Sequence, residues 1–300
     1  MFTGGGICKL YVVFSERCLE YFEPGHPESP DRVLSAYMLL RKEGFKFVEA
    51  EPCSEDDLLM VHSEEHVNRI KSGEFYDPDT PNLPGIYEYA RLAAGAAIKS
   101  MEISLNGEAA FSLMRPPGHH AGINGRALGA PTLGFCYFNN IAIACRKALN
   151  MGKVKRIAIL DVDCHHGNGT QEIFFRDWRV LFVSLHRYGS VYPGTGDKSV
   201  ENCLNYPFPH PVGDGEYIRV LSAALHEIEE FNPELIAVSA GFDTHMFDPI
   251  CGLGLSTNSY MIIGRMIAKL NRRVFAVLEG GYGRDFPQCV LNFLKGLEEK

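Results

Sequence analysis

The chain has 300 residues, 46% hydrophobic and 22% charged, with 29 Lys and Arg against 37 Asp and Glu for a net charge of −8. Phosphate binding needs clustered cations, so this balance excludes a nucleic-acid surface, and no charge run or Pro/Ser/Gly-rich linker divides the chain, so one domain over residues 1–300 is expected. Nine cysteines, an odd number without paired spacing, point to a reducing compartment; the first apolar stretch, Leu10 to Phe14, is too short for a signal core or a membrane span, so a cytoplasmic protein without a membrane partner is expected.

In chain order, a helix-like stretch at 87–105 precedes a β-prone run at 110–114, which ends in Arg115-Pro116-Pro117-Gly118-His119-His120. A second helix-like stretch, 139–150, leads to the apolar run 157–160 and then Asp161-Val162-Asp163-Cys164-His165-His166-Gly167-Asn168. In extended chain, side chains alternate faces, so Asp161, Asp163 and His165 project one way while Val162 and Cys164 project the other. Three potential ligands then share one side. Val180 to Leu185 follows, ending in His186-Arg187-Tyr188, and after a helix-like stretch at 215–231 comes Leu235 to Ala240, ending in Gly241-Phe242-Asp243-Thr244-His245. The last helix-like stretch considered, 257–270, precedes Val274 to Leu278 and Glu279-Gly280-Gly281-Tyr282-Gly283.

Strands alternating with helices predict a parallel sheet covered on both faces. In such sheets ligands bind beyond the carboxyl ends of the strands, so the five polar clusters are expected on one rim. Turn formation alone accounts for the glycines and prolines there. It does not account for His-His, Asp-x-Asp-x-His-His, Asp-Thr-His and a glycine-caged Tyr in place of the Ser, Thr and Asn that cap helices.

The chemistry suggests roles. A divalent cation such as zinc accepts mixed imidazole and carboxylate ligands and needs only three of them in a catalytic site, so Asp163 and His165 require a third, for which Asp243 is the best candidate. His119 or His120 would move protons, with Asp161 and Asn168 orienting imidazoles. Tyr282 would donate to a developing oxyanion. Metal, water, base and oxyanion donor together describe hydrolysis of an amide or ester. Cys164 is expected to be packing, and His62, His66, His186, His210, His226 and His245 are expected to be surface or capping residues.

Seven stretches resemble the zinc-dependent histone deacetylase superfamily, including its prokaryotic histone deacetylase-like and acetylpolyamine amidohydrolase members. They are HPESPDRV at 26–33, RPPGHHA at 115–121, GFCYFNN at 134–140, DVDCHHGNGT at 161–170, PGTGD at 193–197, AGFDTH at 240–245 and LEGGY at 278–282. The resemblance implies an arginase-like α/β fold with an eight-stranded parallel sheet. It implies zinc, or ferrous iron in vivo, on Asp163, His165 and Asp243, with an acetylated amine as substrate and attack by metal-activated water. His120 would be the principal general base and acid and His119 its electrostatic partner. Asp161 and Asn168 would buttress His119 and His120, the latter with an Asn where the family often has Asp. Gly134 and Phe135 would form one wall of an acyl-lysine tunnel and Tyr192 the other, where the family usually has Phe. Asp79 resembles a rim residue that grips the substrate backbone. Ile250 stands where polyamine-selective relatives carry Glu. Potassium is implied beneath the zinc, at Asp161, Asp163, His165, Ser184 and Leu185. The rival readings are a dinuclear manganese ureohydrolase of the same fold and a non-catalytic acyl-lysine-binding protein. Oligomeric state is not readable from the residues.

Overall fold

Eight β-prone runs pair side by side in one parallel sheet in the computed structural model, which describes residues 10–299. The strands are β1 (Leu10–Phe14), β2 (Lys46–Glu49), β3 (Ala109–Ser112), β6 (Ile157–Asp161), β7 (Val180–Arg187), β8 (Cys203–Phe208), β9 (Leu235–Ala240) and β10 (Arg273–Leu278). β4 (Ala121–Gly122) and β5 (Gly125–Arg126) form a separate antiparallel pair. The sheet order is β2-β1-β3-β10-β9-β6-β7-β8. Strands β3, β10, β9 and β6 are therefore contiguous, although they are scattered over the sequence. Each of these four carries one of the predicted polar clusters at its carboxyl end, and together they set the floor of the site.

The helices are α1 (Pro30–Lys42), α2 (Glu55–Leu59), α3 (Glu64–Ser72), α4 (Ile86–Leu105), α5 (Asn140–Asn150), α6 (Asn168–Phe174), α7 (Asp214–Phe231), α8 (Thr257–Lys269) and α9 (Phe286–Glu298). Their starts follow local chemistry. Ser63 accepts from the His66 N–H at the head of α3, Asn139 accepts from Ala142 N–H at the head of α5, and Pro30 occupies the first turn of α1, where a missing N–H is harmless.

Period-two alternation divides the core between the two faces of the sheet. Ala158, Leu160, Val162 and Cys164 pack in one apolar cluster with Val33 and Leu40 of α1, Leu221 of α7 and Phe293 of α9. Ile157 and Ile159 pack in the other with Ile70 of α3, Ala94 of α4 and Ile141 of α5. With both faces covered, the inner strands read as continuous apolar runs. The single-domain, parallel-sheet expectation is met, with more strands than the five read from residue pattern alone.

Candidate metal centre and active site

Strand β6 ends at Asp161, and the chain turns immediately afterwards. The alternation nonetheless persists past the strand end, because Val162 N–H still donates to the Ser239 carbonyl of β9 at 3.0 Å. Val162 and Cys164 thus enter the core, and Asp163 and His165 face the opposite way. Asp243 arrives from the end of β9. One donor atom each from Asp163, His165 and Asp243 lie within 4.8 Å of one another, and all three residues are buried.

His165 Nδ1 is 2.8 Å from Asp243 Oδ2 and 3.1 Å from Asp163 Oδ1. The first contact is close but lacks hydrogen-bond geometry, so Asp243 Oδ2 is a buried oxygen without a hydrogen-bond partner. Lone pairs converging at this range, on a carboxylate that cannot reach water, fit a cation rather than a proton-shared pair. The surrounding glycines fit the same reading. A Cβ on Gly241 would lie 2.1 Å from Asp163 Oδ2, and one on Gly280 would lie 2.7 Å from both Asp163 Oδ2 and Asp243 Oδ2. Gly280 N–H donates to Asp163 Oδ2 at 2.8 Å and Cys164 N–H to Asp243 Oδ1 at 2.9 Å, so backbone fixes the carboxylate orientations. Burial alone would depress His165, but Asp243 and Asp163 outweigh it and push its pKa up to about 10. A divalent cation on Nδ1 would displace that proton.

The two predicted imidazoles sit beside this cluster with ring centroids 3.9 Å apart and different partners. His119 Nδ1–H donates to Asp161 Oδ2 at 2.9 Å, and its Nε2 is 3.7 Å from Asp163 Oδ1. Burial disfavours its charge, yet Asp161, Asp163 and Glu279 push its pKa up to about 10. His120 Nδ1 lies 2.7 Å from Asn168 Oδ1. Asn168 Nδ2 is committed to the Ala127 carbonyl at 2.9 Å, so its oxygen must face His120, Nδ1 must carry the hydrogen, and Nε2 keeps its lone pair. Burial, with the charges of His119 and His165, holds His120 well below its ordinary 6.5.

Gly134 and Phe135 approach this pair from the loop before α5. Both adopt positive φ, +57° and +69°, and a Cβ on Gly134 would stand 2.5 Å from the His120 ring and 2.7 Å from Tyr192 Oη. The Tyr192 ring meets His120 edge-on at 4.8 Å and its hydroxyl donates to the Thr132 carbonyl at 3.0 Å. Phe135 meets Tyr282 edge-on at 5.8 Å, so Tyr282 belongs to the same site. Burial raises the Tyr282 phenol well above its usual pKa and keeps it a proton donor, with Arg32 opposing. Asp79 Oδ1 accepts from Gly134 N–H at 3.1 Å and Oδ2 from Thr132 Oγ1 at 2.5 Å, so its carboxylate braces the loop that carries Gly134 and Phe135. Ile250 is 42% exposed on the loop after β9. Ser184 lies opposite Asp161 in the β6–β7 register, with its Oγ 2.8 Å from His186 Nδ1, and Leu185 is buried beside it.

Sequence reasoning assigned no role to Arg32, Glu279, Glu28 or Arg115. Arg32 donates to the carbonyls of Gly281 (2.8 Å) and Glu279 (2.6 Å) and lies 4.8 Å from the Tyr282 ring centroid, which steers the glycine loop. Glu279 Oε2 accepts from the N–H groups of Gly118 (2.8 Å) and His119 (3.2 Å), anchoring the histidine loop to β10. Arg115 forms a two-pronged buried ion pair with Glu28, both contacts at 2.7 Å. The signal was present in HPESPDRV and LEGGY, where charged residues stand amid apolar or turn residues.

Two expectations are corrected. His62, His66, His186 and His245 are buried rather than surface residues. His62, for example, lies 2.9 Å from the Gly122 carbonyl and accepts from Asn139 N–H, so these rings are internal struts. Cys164 packs away from the ligands as expected, but it also forms a disulfide with Cys251. A separation of 87 residues leaves no spacing signal. Cys8 lies outside the described residues.

The histone deacetylase domain pattern matches residues 26–297. A "Probable deacetylase" of Archaeoglobus fulgidus is 42% identical over 298 residues, covering 90% of this chain and 80% of the relative. The "Histone deacetylase-like amidohydrolase" of Pseudomonas aeruginosa is 37% identical, covering 91% and 77%. Among solved structures, the HDA15 HD domain superposes with a TM-score of 0.88 at 33% identity, covering 97% of this chain and 90% of that one.

Proposed function

Because the chain belongs to the histone deacetylase family, we propose that it is a zinc-dependent hydrolase that removes an acetyl or short acyl group from an amine. The observation that carries this reading is the buried Asp163-His165-Asp243 cluster, whose Asp243 Oδ2 has no hydrogen-bond partner. Asp163, His165 and Asp243 would hold a zinc ion, which would supply a Lewis acid to polarise the amide carbonyl and lower the pKa of a water. His120 is placed to accept a proton from an attacking water on Nε2, because its Nδ1–H is engaged by Asn168. His119 keeps its charge beside Asp161 and stabilises the developing negative charge. Tyr282 donates its phenolic hydrogen to the carbonyl oxygen as that oxygen becomes anionic. His120 then returns the proton to the leaving amine. Phe135 and Tyr192 flank the aliphatic stem that carries the amide, and a potassium ion near Asp161, Ser184 and Leu185 would brace the floor.

The test is turnover by the zinc-loaded full chain on a fluorogenic acetyl-lysine substrate, with acetylputrescine and acetylspermidine in parallel. We expect activity on at least one, abolished by a chelator and restored by zinc. Two tightly held manganese ions per chain, or no turnover of any of the three, would overturn the proposal in favour of a ureohydrolase or an acyl-binding protein.

A further inference from the structure

Cys164 and Cys251 are bonded across 87 residues of sequence, with Cα atoms 6.4 Å apart. Cys164 stands between two of the proposed ligands, Asp163 and His165, and its N–H holds Asp243 Oδ1. Cys251 is half-buried on the loop that follows Asp243. That loop touches the site twice more. Gly252 N–H donates to the Asp243 carbonyl at 3.0 Å, and Asp248 Oδ2 accepts from the N–H groups of Tyr282 (2.7 Å) and Gly283 (3.1 Å). The bond therefore joins the segment carrying Asp163 and His165 to the segment that positions Asp243 and Tyr282.

The other six described cysteines are buried and unpaired. Burial raises their thiols above the usual range, to about 12 for Cys18, Cys53, Cys203 and Cys289. Such thiols are poor nucleophiles. One disulfide beside six unpaired described cysteines is unlike the dense frameworks of small secreted domains, and in a reducing compartment such a pair is usually transient or redox-sensing. Cys164 is buried whereas Cys251 is half-buried, so of the two bonded residues Cys251 is the more open to a reductant.

We infer that Cys164–Cys251 is a redox-modified site that clips the two ligand-bearing segments together and sets how tightly the metal is held. The inference rests on the metal centre proposed above. A dithiol reductant attacks the Cys251 sulfur, the S–S bond breaks, and Cys164 leaves with the electron pair and gains a proton. The second thiol of the reductant then displaces Cys251, leaving two cysteine thiols and an oxidised cyclic dithiol. A disulfide oxidant runs the exchange in reverse. Opening the clip returns conformational freedom to the loop that carries Asp243.

The experiment compares the zinc-loaded full chain after treatment with oxidised dithiothreitol and after reduction by a water-soluble phosphine, which becomes the phosphine oxide with oxygen from water. Both samples are desalted before measurement. Alkylation followed by intact mass should show Cys164 and Cys251 protected only in the oxidised sample. Reduction should speed zinc release to a chromogenic chelator by at least about fivefold and lower Tm by about 5 °C, and re-oxidation should reverse both. Cys251→Ser should match the reduced state whatever the treatment; if it does not fold, the wild-type comparison decides. No bond after oxidation, or equal release rates and Tm in two states that both hold zinc, overturns the inference alone. A chain that takes up zinc in neither state sinks the metal reading and this inference together.

Discussion

His119 and His120 are chain neighbours with touching rings, yet their surroundings drive them to opposite charge states. A carboxylate on Nδ1 keeps the first charged, while an amide oxygen on Nδ1, with deep burial and a charged neighbour, keeps the second neutral. A neutral His120 is a base already prepared at neutral pH, so the acid limb of kcat/KM should have its midpoint below 6.5. Asn168→Asp would place an anion against Nδ1, favour the protonated ring, and move that limb up by about one pH unit or more. A pH–rate profile of wild type and variant checks both statements, and an unmoved limb would mean that another group titrates. Tyr282→Phe and His120→Ala should each lower kcat by at least about a hundredfold, the usual scale for an oxyanion donor or a general base. Stopped assays on zinc-saturated protein, with circular dichroism to confirm folding, would measure this; near-normal turnover in either variant removes that residue from its role.

At the scale of elements, the site is a set of strand ends and the short loops after them, and those loops leave no room for added atoms. Gly280→Ala puts a methyl group 2.7 Å from the oxygens of both Asp163 and Asp243. It should weaken zinc binding by at least about tenfold, as outer supports of metal ligands generally do; competition with a chelator would measure it, and wild-type affinity would contradict the crowding argument. The Glu28–Arg115 pair fastens the HPESPDRV segment to the start of the histidine loop. Burial opposes the charge on Glu28, but Arg115 and Arg32 overcome it and hold its pKa below the ordinary 4.5. A carboxylate with a depressed folded pKa stabilises the fold fully above its unfolded value, and the contribution is lost as pH falls through the folded value. Glu28→Gln leaves Arg115 buried and unpaired and should destabilise by about 3 kcal/mol at pH 7, with the gap to wild type narrowing below about pH 4.5. Denaturant melts at pH 7 and pH 3.5 would show it, and a constant gap would mean the pair carries no linkage.

The same loops explain what was legible. Strands β3, β6, β7, β9 and β10 stand out because inner strands are continuous apolar runs, and α4, α5, α7 and α8 are the helical stretches that precede four of them. Strand β2 lies at a sheet edge and buries none of its residues fully, and β8, the other edge, contains Pro207 and alternates half-buried positions, so neither carries the apolar signature. The ligand types and the histidine pair were visible because ionisable residues at strand ends are out of keeping with turns. Arg32 and Cys251 were not, since what matters about each is a partner far along the chain: Gly281 and Cys164.

For the whole molecule, the sheet order brings residues 115–120, 161–168, 240–245 and 279–283 to one rim from positions spread over more than half the chain. Among the described residues no helix is long and apolar enough to cross a membrane. If this convergence builds the single cation site proposed above, metal content by elemental analysis reads it out. Purified full chain should hold one zinc per molecule, and Asp243→Ala, which removes the unpartnered oxygen, should lose both the zinc and the turnover while remaining folded. Zinc content unchanged in the folded Asp243→Ala variant, or two manganese ions in the wild type, would contradict it.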